Sequence, residues 1–368
     1  MNSFDVIVIG GGIAALTLAS RLAGCARVAV LERGGQPVGQ DGEPTSPALT
    51  LSFGRPEIQA LSLASEPFFT DPRRPLSVSR GLIFLARDDQ RAQLCARADR
   101  LAPLGRHRWL DPEELGLRLP LLRPGYAVSA LMEDRARDID LAALQAALLE
   151  RLRRRGARLL SGNEVAALSY AHGSWTLSAQ GGSYRAPVVV NAAGAWAGQV
   201  AALAGALPLR LAALRRTALR LDPPQDLAAA QLPMVVDAEE RFYMKPDAGH
   251  LLASPGEEHP GRPDVPVGAE TLEVSLCADR LRALSAMRLG PVTAAWTGLR
   301  TYAPDRLPVC GFDPGRKGFF WLAGQGASGI QTAPALAGLA TDQITGEPGA
   351  DARRWGADPT RLSPARFA

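Results

Sequence analysis

The opening of the chain constrains it most: Phe4-Asp5-Val6-Ile7-Val8-Ile9 reads as a buried β-strand that runs straight into Gly10-Gly11-Gly12-Ile13-Ala14-Ala15. Leu16, Leu18, Ala19 and Leu22 give the next segment an apolar helical stripe, and Arg27-Val28-Ala29-Val30-Leu31-Glu32 reads as a second strand ending in an acid. Together they make a βαβ unit, which implies a parallel sheet with a crossover helix. Gly10 permits the tight turn, Gly12 lets backbone approach a pyrophosphate, and the helix N-terminus offers free N–H groups and partial positive charge. Ala15, at the third position, is small enough for close helix–strand packing. Glu32 stands 20 residues after Gly12, where an acid accepts ribose hydroxyls. Such an acid argues against NADP, whose 2′-phosphate it would repel, and leaves NAD and FAD open. The motif's place at the start of a long chain with a large later insertion suits FAD.

Two further elements suit a flat ligand. Val188-Val189-Val190-Asn191-Ala192-Ala193-Gly194-Ala195-Trp196 is an apolar strand breaking into small residues, with a helix expected from about 197 to 204. Near the end, Phe319-Phe320-Trp321-Leu322-Ala323 is a strand, and Gly324-Gln325-Gly326-Ala327-Ser328-Gly329 opens a helix running to about Ile344. A helix starting on glycines could stabilise negative charge on the pyrimidine edge of a reduced flavin.

Composition excludes several alternatives. Lys+Arg 41 against Asp+Glu 37 gives +4 without a basic tail, so no nucleic-acid partner is implied. Only Lys245 and Lys317 are lysines, and neither lies in a phosphate-loop or Schiff-base motif. Cys25, Cys95, Cys277 and Cys310 are scattered, and His107, His172, His250 and His259 form no ligand spacing, so neither a metal site nor a disulfide framework is expected. The N-terminus lacks signal-peptide character, and no apolar run reaches the roughly 18 residues of a membrane span. The expected setting is the cytoplasm.

Between Asp237 and Val274 the pattern changes to short extended pieces, Glu240–Lys245 and His250–Ser254, around the turn Pro246-Asp247-Ala248-Gly249. This predicts a β-hairpin over a substrate cavity. The helix beginning near Leu141 ends in Arg151-Leu152-Arg153-Arg154-Arg155, read as a solvated C-terminus. The expected fold is α/β, a Rossmann-like FAD-binding domain (1–85, 137–210 and 292–368) with a second, mostly antiparallel substrate domain (86–136 and 211–291).

On Val8 to Ala15 with Glu32, Val190 to Trp196, Pro304-Asp305-Arg306-Leu307-Pro308-Val309 and Gly324 to Ile330, the chain resembles the FAD-dependent D-amino-acid oxidase and dehydrogenase family, the group of glycine and sarcosine oxidases. Arg215-Arg216, Phe242 to Gly249, Trp296 to Arg300 and Gly329 to Thr332 extend the resemblance furthest toward its D-arginine dehydrogenase branch. The resemblance implies FAD contacts from Gly10, Gly12, Ala15, Glu32, Arg33, Thr45, Val165, Ala193, Gly194, Trp196, Gly326, Ser328, Gly329, Ile330 and Gln331. It implies hydride transfer from the substrate Cα to flavin N5, giving an imino acid that water hydrolyses to a 2-oxo acid and ammonia. Arg300 is the first candidate for the carboxylate grip, because a planar guanidinium binds a carboxylate bidentately; Tyr243 and Arg216 are implied beside it.

The chain departs from that branch where a histidine, a tyrosine and an acid would line the pocket: it carries Ala48, Phe53 and Gly81, with Ala327 nearby. Without the acid, a cationic side chain loses the pairing that offsets its desolvation, so neutral or apolar substrates are expected over arginine. The segment Gly298 to Ala303 holds no cysteine for covalent attachment, so FAD is expected to be non-covalent. The partner is a small-molecule substrate, while oxygen, a quinone and a protein all stay open as electron acceptor. Rival functions are a FAD-dependent 2-hydroxy acid oxidase, with His250 as its candidate base, an NAD-dependent dehydrogenase, disfavoured because the later glycine motifs would lack a role, and a flavin-binding protein without catalysis.

Overall fold

The computed structural model describes residues 2–36, 47–265, 268–347 and 356–368. A six-stranded sheet organises the cofactor half, in the order Arg158–Leu160, Val28–Leu31, Val6–Ile9, Val188–Asn191, Phe319–Ala323 and Val309–Phe312. The first five run parallel and the last is antiparallel. Both faces are covered, which is why these strands are apolar without alternation. On one face pack the helices Ile13–Leu22, Pro56–Phe69, Leu141–Arg154 and Gly329–Thr345. On the other lie the helix Ala197–Ala204 and a small sheet, whose strands Ser174–Ala179 and Gly182–Ala186 bring Trp175, Leu177 and Tyr184 into the core. All four residues of Val6–Ile9 are buried, each contributing roughly 1.5–3 kcal/mol.

A nine-stranded, mostly antiparallel sheet forms the second half. Tyr243–Asp247 and His250–Ser254 form the expected hairpin, with Ala248 and Gly249 at positive φ in the turn. The boundaries drawn from the sequence need two corrections. Leu82–Ala86, which the expected boundary at residue 85 cuts, lies wholly in this sheet between Met234–Asp237 and Ser129–Glu133. Val292–Tyr302, expected with the cofactor half, pairs antiparallel along the whole of Ala212–Leu221, a ladder no neighbour in the parallel sheet could offer it. A three-stranded ribbon, Ala48–Leu49, Arg137–Ile139 and Ser77–Ser79, adds a third element beside the cleft.

Candidate active site

Three adjacent strands of the parallel sheet set the floor of the site. Ile9, Asn191 and Trp321 lie in register, so the turns after them, Gly10–Gly12, Ala192–Gly194 and Gly324–Gly326, share one edge. Above that edge opens a cleft of about 2050 Å³. Pockets for one drug-sized ligand span roughly 300–1,000 Å³, so a dinucleotide and a small substrate fit together.

The glycine turn meets the demands of a pyrophosphate. Gly10 has φ +110° and its α-carbon faces the Ala192 carbonyl, so no side chain fits there. Gly12 is different: its backbone is ordinary and extended (φ −72°, ψ 173°), and a Cβ would meet no atom of the described residues within 4 Å. Neither the packing of the described residues nor the backbone conformation requires glycine at that position, whereas a ligand lying on the backbone does. The helix Ile13–Leu22 has no side-chain cap and no acid in its first turn, and the same holds for Gly329–Thr345. Two bare helix starts facing one cleft suit an anionic, electron-accepting cofactor, so these residues fit FAD.

Glu32 does more than the sequence suggested. Its carboxylate is buried and accepts from the Gly11 amide at 2.5 Å and the Gly34 amide at 2.6 Å, fastening the glycine turn while it lines the cleft. Arg33 lies over the Trp196 ring at 4.6 Å and within 4.0 Å of Asp264. Val165, Ala193, Gly194, Gly326, Ser328, Gly329, Ile330 and Gln331 all line the cleft. Gln331 also ties the last helix down, accepting from the Thr50 amide at 3.1 Å and donating to Ser62 at 2.9 Å. Ala15 is a correction: it is fully buried away from the cleft, and its small size serves helix–strand packing alone. Thr45 lies outside the described residues.

The sheet opposite supplies the cationic wall. Arg216 pairs with Gly298 and Leu214 with Arg300, so the period-2 alternation of two neighbouring strands puts both arginines on the cleft face. Arg215 points the other way, into Glu270 and, at 3.1 Å, Glu273. Arg216 has no hydrogen-bonding or ion-pair partner among the described residues, and its Nε is buried and unpaired. Burial, and then the charge of Arg300, push its pKa below the usual arginine value. Arg300 has no carboxylate partner among the described residues either. Tyr243 joins the two walls, because its ring centroid lies 5.7 Å from the Arg216 guanidinium and it packs with Ala48 and Phe53 on the cluster around Phe84 and Val236. Ala48, Phe53 and Ala327 line the cleft. Gly81 does not, a second correction: it is buried at the start of Leu82–Ala86, with the Met132 methyl 2.8 Å from where its Cβ would stand. None of the four histidines lines the cleft; His250 instead meets Asp222 at 3.1 Å.

Sequence reasoning missed Glu258 and Tyr302. Both line the cleft, the Tyr302 hydroxyl donating to Glu258 at 2.8 Å and Arg306 reaching the same carboxylate at 2.8 Å. Tyr302 carried a signal, since it stands two residues after Arg300 on one strand; Glu258 carried none, since only the long-range pairing of Arg215 with His259 brings it there. A buried network was also missed. Glu133 accepts from Thr50, from Ser52 at 2.5 Å and from the Leu51 amide at 3.0 Å, and His107 stands 2.9 Å from Ser52. Burial pushes the Glu133 carboxyl up, but its donors outweigh that and hold it below its ordinary value. This network pins the segment that presents Ala48, Thr50 and Phe53 to the cleft.

Comparison with known proteins agrees with this layout. The sequence profile of FAD dependent oxidoreductases (DAO) matches residues 5–343. A glycine oxidase of Pseudomonas putida is 28% identical over 363 residues, covering 94% of this chain and 95% of the relative. The crystal structure of glycine oxidase from Geobacillus kaustophilus superposes with a TM-score of 0.84 at 25% identity, covering 99% of this chain and 98% of the other. An L-proline dehydrogenase from P. horikoshii shares the fold, with a TM-score of 0.85 at 20% identity, covering 100% of this chain and 98% of the other.

Proposed function

The chain belongs to the FAD-dependent oxidoreductase (DAO) family, an oxidoreductase family acting on amino acids and amines, and from that premise we propose that it oxidises a D-amino acid, or a related amine-bearing carboxylate, with a neutral or apolar side chain. The observation that carries this reading is the pair Arg216 and Arg300, two guanidiniums on one cleft face without a carboxylate partner among the described residues. A desolvated, unpaired cation is costly unless a ligand completes it, and a substrate carboxylate does so in the geometry a guanidinium favours. The Tyr243 hydroxyl adds a donor on the same side.

FAD, which the glycine turn Gly10–Gly12 and the start of the helix Gly329–Thr345 would hold, would supply a two-electron acceptor for hydride from the substrate Cα. The chain's own work is placement. Tyr302 forms a β-bridge with Gln325, which sets the arginine-bearing strand beside the start of the last helix, so a carboxylate held by Arg300 lies next to the cofactor floor. Ala48, Phe53, Met234, Val236 and Leu252 make the remaining wall apolar, which supports a neutral side chain and offers a cationic one no counter-charge. Glu240, the cleft-lining acid nearest that wall in sequence among the described residues, is held by Arg97 at 2.6 Å. The absence of histidine from the cleft weighs against a 2-hydroxy acid oxidase, whose hydroxyl proton needs a base. No cysteine stands near the cofactor floor before Pro304, and Cys310 is buried against the Leu336 carbonyl, so we hold FAD to be non-covalent.

Anaerobic mixing of the flavin-loaded protein with a panel of amino acids tests this reading. Loss of oxidised-flavin absorbance with D-alanine, D-leucine or D-phenylalanine, faster than with D-arginine, is expected. Preference for D-arginine or for L-isomers overturns the specificity, and no reaction across amino and hydroxy acids favours a flavin protein without catalysis.

A further inference from the structure

Resting on the reading of the cleft as an amino-acid site, we propose that Glu258 is the acceptor of the substrate's amino group and thereby decides between amino acids and their deaminated analogues. An amino acid brings an ammonium as well as a carboxylate, and two unpaired guanidiniums repel it. Something must offset that repulsion on the amine side.

The other acids lining the cleft among the described residues are otherwise engaged. Glu32 holds two backbone amides. Asp264 binds Trp196 and Gln199, and Glu164 lies near Arg33, at the far end by the glycine turn. Glu240 pairs with Arg97 and Asp305 with Arg366. Among the described residues, Glu258 is the acid that stands with Arg216, Arg300, Tyr243 and Tyr302: the pairing of His259 with Arg215 sets it beside Arg216, and its charge acts on Arg216 and Tyr302. A carboxylate offers about four lone-pair positions. Tyr302 and Arg306 take one on each oxygen, so two remain for N–H donors from the cleft. The same two partners hold the carboxylate still and, against its partial burial, keep it ionised below its ordinary pKa. A carboxylate so held is a weak base, so it receives the ammonium as a hydrogen-bond acceptor rather than as the group that removes its proton.

The experiment compares matched ligands on flavin-loaded protein. The apparent Kd of D-phenylalanine is read from anaerobic flavin bleaching, and the Ki of 3-phenylpropionate from inhibition. In Glu258→Gln the Kd of D-phenylalanine is expected to rise about 10- to 100-fold, the worth of one hydrogen bond to a charged group, while the Ki of 3-phenylpropionate stays level or falls as a repelling charge disappears. Equal weakening of both ligands makes Glu258 merely structural and overturns the proposal, as does no change in either. If Glu258→Gln does not fold with flavin, Glu258→Asp must show the same inequality between the two ligands. A wild-type protein bleached by no amino acid sinks the functional reading along with this inference; a wild type that bleaches while the variant shifts both ligands alike sinks this inference alone.

Discussion

Arg216→Met should stabilise the protein while impairing it. Arg216 carries a guanidinium whose Nε is buried without a partner among the described residues, and repulsion from Arg300 outweighs the attraction of Glu258 on it. Leaving such a group unsatisfied costs about 1–3 kcal/mol, and methionine fills a similar length without charge. Against that, the cation–π contact with Tyr243 at 5.7 Å is lost, worth about 0.5–1 kcal/mol. The net expectation is a gain of roughly 0.5–2 kcal/mol in ligand-free protein, and at about 2 °C per kcal/mol in a long chain Tm should rise by roughly 1–4 °C. Binding moves the other way: loss of a charge-assisted bond to the substrate carboxylate costs about 1.5–3 kcal/mol, a rise of roughly 10- to 100-fold in the Ki of any carboxylate ligand. Scanning calorimetry at fixed flavin saturation, paired with inhibition by a simple carboxylate, reads both. A lower Tm together with an unchanged Ki would refute the reasoning, because Arg216 would then be completed by the protein rather than by a ligand.

Gly12→Val should leave the fold intact, since none of the described residues lies within 4 Å of the new Cβ, yet weaken FAD at least 100-fold; a flavin titration that matches wild type would remove the pyrophosphate from this turn. Acid precipitation should leave flavin in the supernatant, and yellow colour in the pellet would show a covalent link. Glu133, held below its ordinary value of 4.5, contributes stability that is fully present above about pH 4.5 and is lost as pH falls through its lower folded pKa. Glu133→Gln should therefore cost about 1–3 kcal/mol at pH 7 and flatten the acid limb of a denaturant-midpoint series, while a limb of unchanged steepness would place that sensitivity elsewhere. Phe53→Glu restores an acid near the pocket wall and should raise the relative rate on D-arginine; no change across the panel would mean that Phe53 does not face the side chain.

What could be read from the sequence, and what could not, divides by range of interaction. The glycine turns were legible because each requirement is local: a strand, a small residue and a helix start within a dozen positions, as at Val6 to Leu22 and at Phe319 to Thr345. Arg216 rather than Arg215 follows from alternation once Ala212–Leu221 is known to be a strand with one face to the cleft, but its helix-compatible sequence Ala-Ala-Leu-Arg-Arg does not announce that. Val292–Tyr302 was assigned to the wrong half because its partner lies some eighty positions earlier and no short-range pattern names it. Gly81 failed for a related reason: correspondence in sequence carried the position but not the packing, and Met132 from the neighbouring strand occupies the space beside it. The same logic explains why the polar supports went unseen. Glu133 holds Thr50 and Ser52 across more than eighty residues, and Glu258 reaches the arginines only through a two-residue bridge to their strand. The cofactor floor is thus a property of contiguous segments, whereas the substrate wall is a property of strand order in the second sheet. Substitutions that change specificity should therefore concentrate on that sheet and on the pinned segment 48–53, leaving the glycine turns and their flavin untouched.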